Sequence, residues 1–316
     1  MRLAPAFALA GLLLLAGPPS AWAALAYITN QGDDSVSVVD TATGAVVQTV
    51  GVGAKPAGVA VAADGRHVYV TNPEGRSISI LERRDGRLSM MAEVPAGAGP
   101  LGIAVSPRDG RVFVADWYGD TVAVLDAAGS SLGTVKVGQS PSGLAIDPAG
   151  ARLYVANRES DTLSVIGLDR LDTLATVPVG HAPFGVTVQG ARVFVANVQS
   201  GDVSVVDAGT LAATRRLKVG DFPYAVAVTP DGSRILVTNQ HGGTLSVFDG
   251  AFTALPDIAV GDYPEGIAMS ADGARAYVAV WMDNRLAEID VAAGKVLRKI
   301  KVVESTRSFG SFLAPP

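Results

Sequence analysis

Six prolines recur at nearly constant spacing: Pro56, Pro100, Pro141, Pro183, Pro223 and Pro264 lie 44, 41, 42, 40 and 41 residues apart. A chain that repeats at this period builds one supersecondary unit many times over, and each unit buries its apolar face against the next. Each proline opens a version of the same segment: PAGVAV, PLGIAV, PSGLAI, PFGVTV, PYAVAV and PEGIAM. A second signature follows, reading YITN (27–30), YVTN (69–72), FVAD (113–116), YVAN (154–157), FVAN (194–197), LVTN (236–239) and YVAV (277–280). A third run, such as SVSVVD (35–40), and a fourth ending in Val-Gly, such as VKVG (135–138), complete the unit.

Four short β runs per unit are therefore expected. Asp-Gly pairs between the first two runs, as at Asp64-Gly65 and Asp231-Gly232, supply the positive φ of tight hairpins. Many runs are apolar on consecutive residues, as in sheets covered on both faces. No stretch keeps a helical period, so essentially no helix is expected. Four-stranded units of about 40 residues are the pattern of a β-propeller. The predicted class is all-β, a single propeller of four-stranded antiparallel blades.

The two ends set the blade number. Six units have all four runs, while the N-terminal unit starts directly at YITN. An orphan segment, Ser308-Phe309-Gly310-Ser311-Phe312-Leu313-Ala314-Pro315, aligns with Pro100-Leu101-Gly102-Ile103-Ala104-Val105-Ser106-Pro107. It is expected to supply the missing inner strand, closing a ring of seven blades and removing the sheet edges that template aggregation. Gly58, Gly102, Gly143, Gly185 and Gly266 fall on the inner strands, where space near the axis is least.

Ahead of the repeats, Arg2 is the only charge in the first 32 residues. An apolar run from Phe7 to Ala16 and then Ala21-Trp22-Ala23 follow, the pattern of a cleaved secretory leader. The expected division is a signal peptide over 1–23 and the propeller over 24–316, with export to the periplasm. An uncleaved N-terminal anchor is the alternative. With no Cys, a disulfide framework, a thiolate nucleophile, a Cys-based metal site and a thioether-linked haem are excluded. A formal net charge of −5 leaves no electrostatic footprint for nucleic acid.

The tetrapeptide Tyr69-Val70-Thr71-Asn72, repeated with variation in every blade, resembles the YVTN-type β-propeller repeat family over residues 24–316. Membership would imply this fold. Similar propellers serve as surface-layer proteins, as periplasmic proteins, as lactonase-like enzymes and as haem- or copper-bearing reductase domains, so the resemblance does not choose an activity. In the last blade Val280 stands where the Asn is expected, followed by WMDNR, which hints at a specialised loop.

Catalytic patterns fail their context. Gly129-Ser130-Ser131-Leu132-Gly133 matches G-x-S-x-G but falls in a hairpin rather than a strand–turn–helix elbow. Gly97-Ala98-Gly99-Pro100-Leu101-Gly102 matches G-x-G-x-x-G without a following helix. The chain has three His. His67 reads as a surface residue. His181 shares its slot with Asp221, Asp262 and Glu304 of later units, an arc that would suit a divalent cation or simply a solvated rim. No other cofactor is expected.

The stronger signal is aromatic. Propeller loops alternate between two faces, and one face collects Trp117, Tyr118, His181, Phe184, Phe222, Tyr224, His241, Tyr263, Trp281 and Phe309. Aromatics gathered on one loop face of a rigid scaffold read as a binding surface; packing between blades is the plainer reading for several. The expected function is a non-catalytic, monomeric propeller that binds a periplasmic protein or a small organic ligand through these residues. The alternatives are a lactonase-like hydrolase with a metal at the channel mouth and an accessory protein of a periplasmic redox system.

Overall fold

The computed structural model describes residues 25–314. The leader expected over 1–23, its cleavage site and Pro315 lie outside the described residues. Among the described residues there are twenty-eight strands and no helix. They form a seven-bladed propeller of four-stranded antiparallel blades, in which the first sheet has three strands of its own and the second carries Phe309–Ser311 as an added, parallel fifth strand. The fourth blade is representative: its inner strand is Pro141–Ile146, followed by Arg152–Asn157, Thr162–Gly167 and the outer strand Asp172–Pro178.

The core lies between blades. One apolar cluster joins the second strand of the fourth blade, through Tyr154 and Ala156, to Val193 and Val195 of the fifth. Equivalent clusters join the other neighbouring pairs. The aromatic that opens the second signature is a core residue: Tyr27, Tyr69, Phe113, Tyr154, Phe194 and Tyr277 are all buried. Each such side chain contributes roughly 1.5–3 kcal/mol on burial, against about 0–1 kcal/mol for an exposed ion pair. Packing between blades, not surface charge, holds the ring together.

The inner-strand glycines follow from contact with the next blade. In blades three to seven the register slips by one residue just after the proline, as between Pro141 and Leu144. This bulge turns the Cα of Gly143 toward the next blade, where a Cβ would run into the carbonyl of Phe184. Gly102, Gly185 and Gly266 meet the carbonyls of Ser142, Tyr224 and Ser308 in the same way.

The C-terminal segment closes the ring on two sides. It pairs antiparallel with the first blade through Asn30–Thr306 and Ala26–Leu313, and the Tyr27 N–H donates to the Phe312 carbonyl at 2.8 Å. Between these points Phe309–Ser311 runs parallel to Gly58–Ala60 of the second blade. Gly310, at φ 93°, makes that diversion, which the simple alignment with Pro100–Pro107 does not anticipate.

Candidate functional site

The Asn of the second signature fixes the loops of the aromatic-bearing face. Asn157 Nδ2 donates to Thr162 Oγ1 at 3.0 Å and to Ser164 Oγ at 2.9 Å. Asn30, Asn72, Asn197 and Asn239 repeat this reach to residues five and seven positions on. The carboxamide fills the space beside the Gly that ends each unit, so a Cβ at Gly220 would sit 2.7 Å from Asn239 Cγ. Asp116 does the same work with opposite polarity, accepting from the Ala98 and Gly99 amides at 2.9 and 2.8 Å. In the seventh blade Val280 makes no such bond.

A second device ties the two kinds of loop on this face together. Asp34, Asp120, Asp161 and Asn284 adopt left-handed φ values of 47–53°, which Asp and Asn tolerate. Their side chains accept the backbone N–H of Lys55, Ser140, Ala182 and Ser305 at 2.7–2.9 Å. Four pairs of loops are tied in this way; in blades five and six Gly201 and Gly243 stand at that position, so the slots of Phe222 and Tyr263 lack the bond.

The structure divides the ten aromatic and histidine candidates. Phe184, Tyr224 and Phe309 do not face solvent: they are 5–6% exposed and plug the axis. Their rings pack at centroid distances of 4.2, 5.5 and 6.2 Å. The residue after each proline lies on a strand that converges on the axis, so a large side chain there fills the ring's end. Behind the plug is a channel of about 460 Å³, lined mainly by apolar side chains such as Ile103, Ala104 and Ala268 and reaching the hairpins of the opposite face at Pro107 and Pro148.

Four other candidates form a continuous arc across blades five to seven. Phe222 stacks on His241 at 3.7 Å, His241 meets Tyr263 at 5.3 Å, and Tyr263 meets Trp281 edge-on at 5.9 Å. The Arg307 guanidinium lies over the Trp281 ring at 4.9 Å and ends the arc. Phe222 and Tyr263 occupy the left-handed position before the proline, at φ 55° and 59°. Lys55, Ser140 and Ala182 hold the same slot in other blades, so two large aromatics stand where the backbone favours small or flexible residues.

The remaining three stand apart from the arc. Trp117 is half-buried against the plug, with the Arg158 guanidinium 5.9 Å from its ring centre. Tyr118 is 77% exposed. His181 is held by Asp161 at 2.7 Å. His67 likewise pairs with Asp64 on the hairpin side, and among the described residues no three His, Asp or Glu side chains gather as ligands. Ser130 lies in the turn between Thr121–Leu125 and Ser131–Lys136, and Ser131 opens the second of these strands.

Sequence reading missed Arg307, which lies just before the closing strand and has no counterpart in the repeat. It holds fully buried Glu265 in two contacts of 2.8 and 2.9 Å and donates to Tyr224 Oη at 3.3 Å. Gln240 Nε2 donates to the same carboxylate at 2.7 Å. Burial pushes the Glu265 carboxyl up, while Arg307 and Gln240 pull it back. Burial also pushes the Tyr224 phenol up, as does the charge of Glu265, so it stays protonated. Burial alone would lower Arg307, but Tyr224 and Glu265 hold it above its ordinary value. An uncompensated charge here would be costly, and Arg307 supplies the compensation for buried Glu265.

The profile of the family described as "Lactonase, 7-bladed beta-propeller" matches residues 23–131. The chain is similar to that family there. No curated protein matches the sequence. Among solved structures, a functionally unknown protein from Desulfotomaculum acetoxidans superposes with a TM-score of 0.83 at 16% identity, covering 92% of this chain and 99% of that one. The hydrazine synthase of Kuenenia stuttgartiensis gives 0.71 at 20% identity, over 80% and 88% of the two chains. Dihydro-heme d1 dehydrogenase NirN, in complex with DHE, gives 0.69 at 17% identity, over 92% and 77%. At these identities the likeness is one of fold.

Proposed function

We propose that this chain is an exported binding propeller that engages a periplasmic protein or a small organic ligand through the arc Phe222–His241–Tyr263–Trp281. The observation behind this reading is the arc itself: four rings in successive contact on the loops within and leading into blades six and seven, two of them in left-handed slots, with Asn239 and Asn284 bonding across the loops that carry His241 and Trp281. Rigid aromatics present large contact area at small entropic cost, which is how binding anchors work. The leader pattern before residue 24 supports export, and the channel plug supports use of the outer loop surface rather than the axis.

The test is capture from periplasmic extract on immobilised protein, wild type against the double variant His241→Ala with Tyr263→Ala. One stoichiometric companion, protein or small molecule, is expected on the wild type and lost from the variant. Equal capture by both would overturn the arc as the binding surface. A second reading, a lactonase-like hydrolase using a divalent cation, draws support from the family match over 23–131. Lactone turnover that depends on added metal, undiminished in the arc variant, would favour it instead. The reading as an accessory of a periplasmic redox system stays a further alternative, with fold likeness alone behind it.

A further inference from the structure

The plug has a chemistry that the arc does not use. Two arginine–tryptophan pairs adjoin the plug: Arg307 over Trp281 at 4.9 Å, and Arg158 with Trp117 at 5.9 Å. Arg307 bonds to the Tyr224 hydroxyl, and the charge of Arg158 also reaches that phenol. Trp117 packs on the same plug as Tyr224 and Phe184. Glu265, the carboxylate beside the plug, is taken up by Arg307 and Gln240. The capacity left over belongs to donors. Arg307 uses Nε and Nη2 on Glu265, which leaves the Nη1 edge. Among the described residues the carboxylate paired with Arg158 is Glu159, at 4.0 Å and 61% exposed. The two arginine side chains are 21% and 22% exposed, half-sunk but reachable.

We propose that the mouth beside the plug binds an organic carboxylate carried on a flat ring, the carboxylate on Arg158 and the ring against the neighbouring Trp117. A guanidinium fork matches a carboxylate in two parallel bonds, and half-burial strengthens such bonds relative to open water. Flat indoles set beside the donors select a planar body over a flexible one. The inference rests on reading this face as a binding surface.

The experiment is calorimetric titration of the full chain with 2-naphthoate, with its neutral counterpart 2-naphthamide, and with inorganic phosphate. Saturable one-to-one binding of naphthoate is expected, at least tenfold tighter than naphthamide, with phosphate weaker still. Arg158→Gln should weaken naphthoate at least tenfold while leaving naphthamide unchanged, and Arg158→Lys should recover only part of the loss, because an ammonium cannot offer the fork. Equal binding of naphthoate and naphthamide overturns the carboxylate and leaves the face as an aromatic surface. Phosphate binding as tight as naphthoate overturns the ring. No naphthoate binding overturns this proposal alone if arc-dependent capture persists. Naphthoate binding with capture indifferent to the arc variants supports this proposal and fails the other.

Discussion

Thr29 and Ser308, 279 positions apart in the chain, clasp each other: the Thr29 N–H donates to Ser308 Oγ at 2.7 Å, and the Ser308 N–H donates back to Thr29 Oγ1 at 2.8 Å. Both are fully buried. Such long-range contacts repay a large loop-closure entropy only once the whole ring has formed. The clasp is where the first and last blades become one structure.

Removing residues 306–316 should therefore expose the inner edge of the first blade and the free edge beside Gly58–Ala60 together. Aggregation, or a loss of several kcal/mol in urea unfolding, is expected. A gentler probe is Phe312→Ala. That ring is fully buried in the cluster shared by the first, second and last blades, so about 3 kcal/mol should be lost. A truncated chain that unfolds at the same urea concentration as the full one would show that the clasp contributes nothing.

The fold was legible because the repeat wrote it seven times: proline spacing, Asp-Gly hairpins and the orphan segment at 308–315 each point to a propeller closed by its C-terminus. The site was legible only as a face. Periodicity places Phe184 and Phe222 on the same side of the ring but does not register that two positions separate an axial plug residue from a rim residue, Phe184 being buried and Phe222 38% exposed. Arg307 was invisible because it breaks the repeat, and nothing in the sequence marks Glu265 as its buried partner. The closing strand's pairing with the second blade was hidden in Gly310, whose positive φ no alignment reports.

The Val-Gly ending and the signature Asn should behave as one unit. Asn239→Ala removes two donated bonds from a buried carboxamide and should cost roughly 1–3 kcal/mol. Gly220→Ala drives a methyl against that carboxamide, 2.7 Å from its Cγ, and should cost about 1–3 kcal/mol as overpacking. In the double variant the methyl takes the vacated space, since Asn239 Cβ lies 3.1 Å away. The double-mutant cycle should then be clearly less than additive in chemical denaturation. Strict additivity would separate the two signals.

Acid stability should be decided on the hairpin face. Asp231 is held down to about 2 by the Thr229 hydroxyl and the Ser233 amide. Asp272 is lowered by Ser270, Asp249 by the Thr253 amide and Asp207 by the Thr210 amide. A depressed carboxyl contributes stability that is present above its ordinary pKa, 3.8, and is lost as pH falls through the folded value, about 2 for Asp231. Stability should therefore decline from about pH 4 toward about pH 2. Asp231→Asn should be less stable than wild type at neutral pH, with the gap closing at the acid end. Parallel pH profiles for the two proteins would remove Asp231 from the account.

Tyr263 separates binding from stability more cleanly than any tryptophan on the face. Its φ of 59° lies in the left-handed region, where a side chain costs about 1–2 kcal/mol and glycine costs nothing of the kind. Its ring touches His241 and Trp281 at centroid distances of 5.3 and 5.9 Å, contacts worth about 0.5–1.5 kcal/mol each beyond area burial. These terms oppose each other, so Tyr263→Gly should leave unfolding free energy within about 1 kcal/mol of wild type. Phe222→Gly, at φ 55° and stacked on His241, should behave alike. Both variants break the arc, and each should weaken capture of the partner by about 2 kcal/mol, roughly thirtyfold. The comparison needs only a denaturation curve and a binding isotherm for each variant. A loss of several kcal/mol in stability with binding retained would make the arc a packing feature of the rim, and the choice of large aromatics in left-handed slots would then have a structural rather than a functional cause.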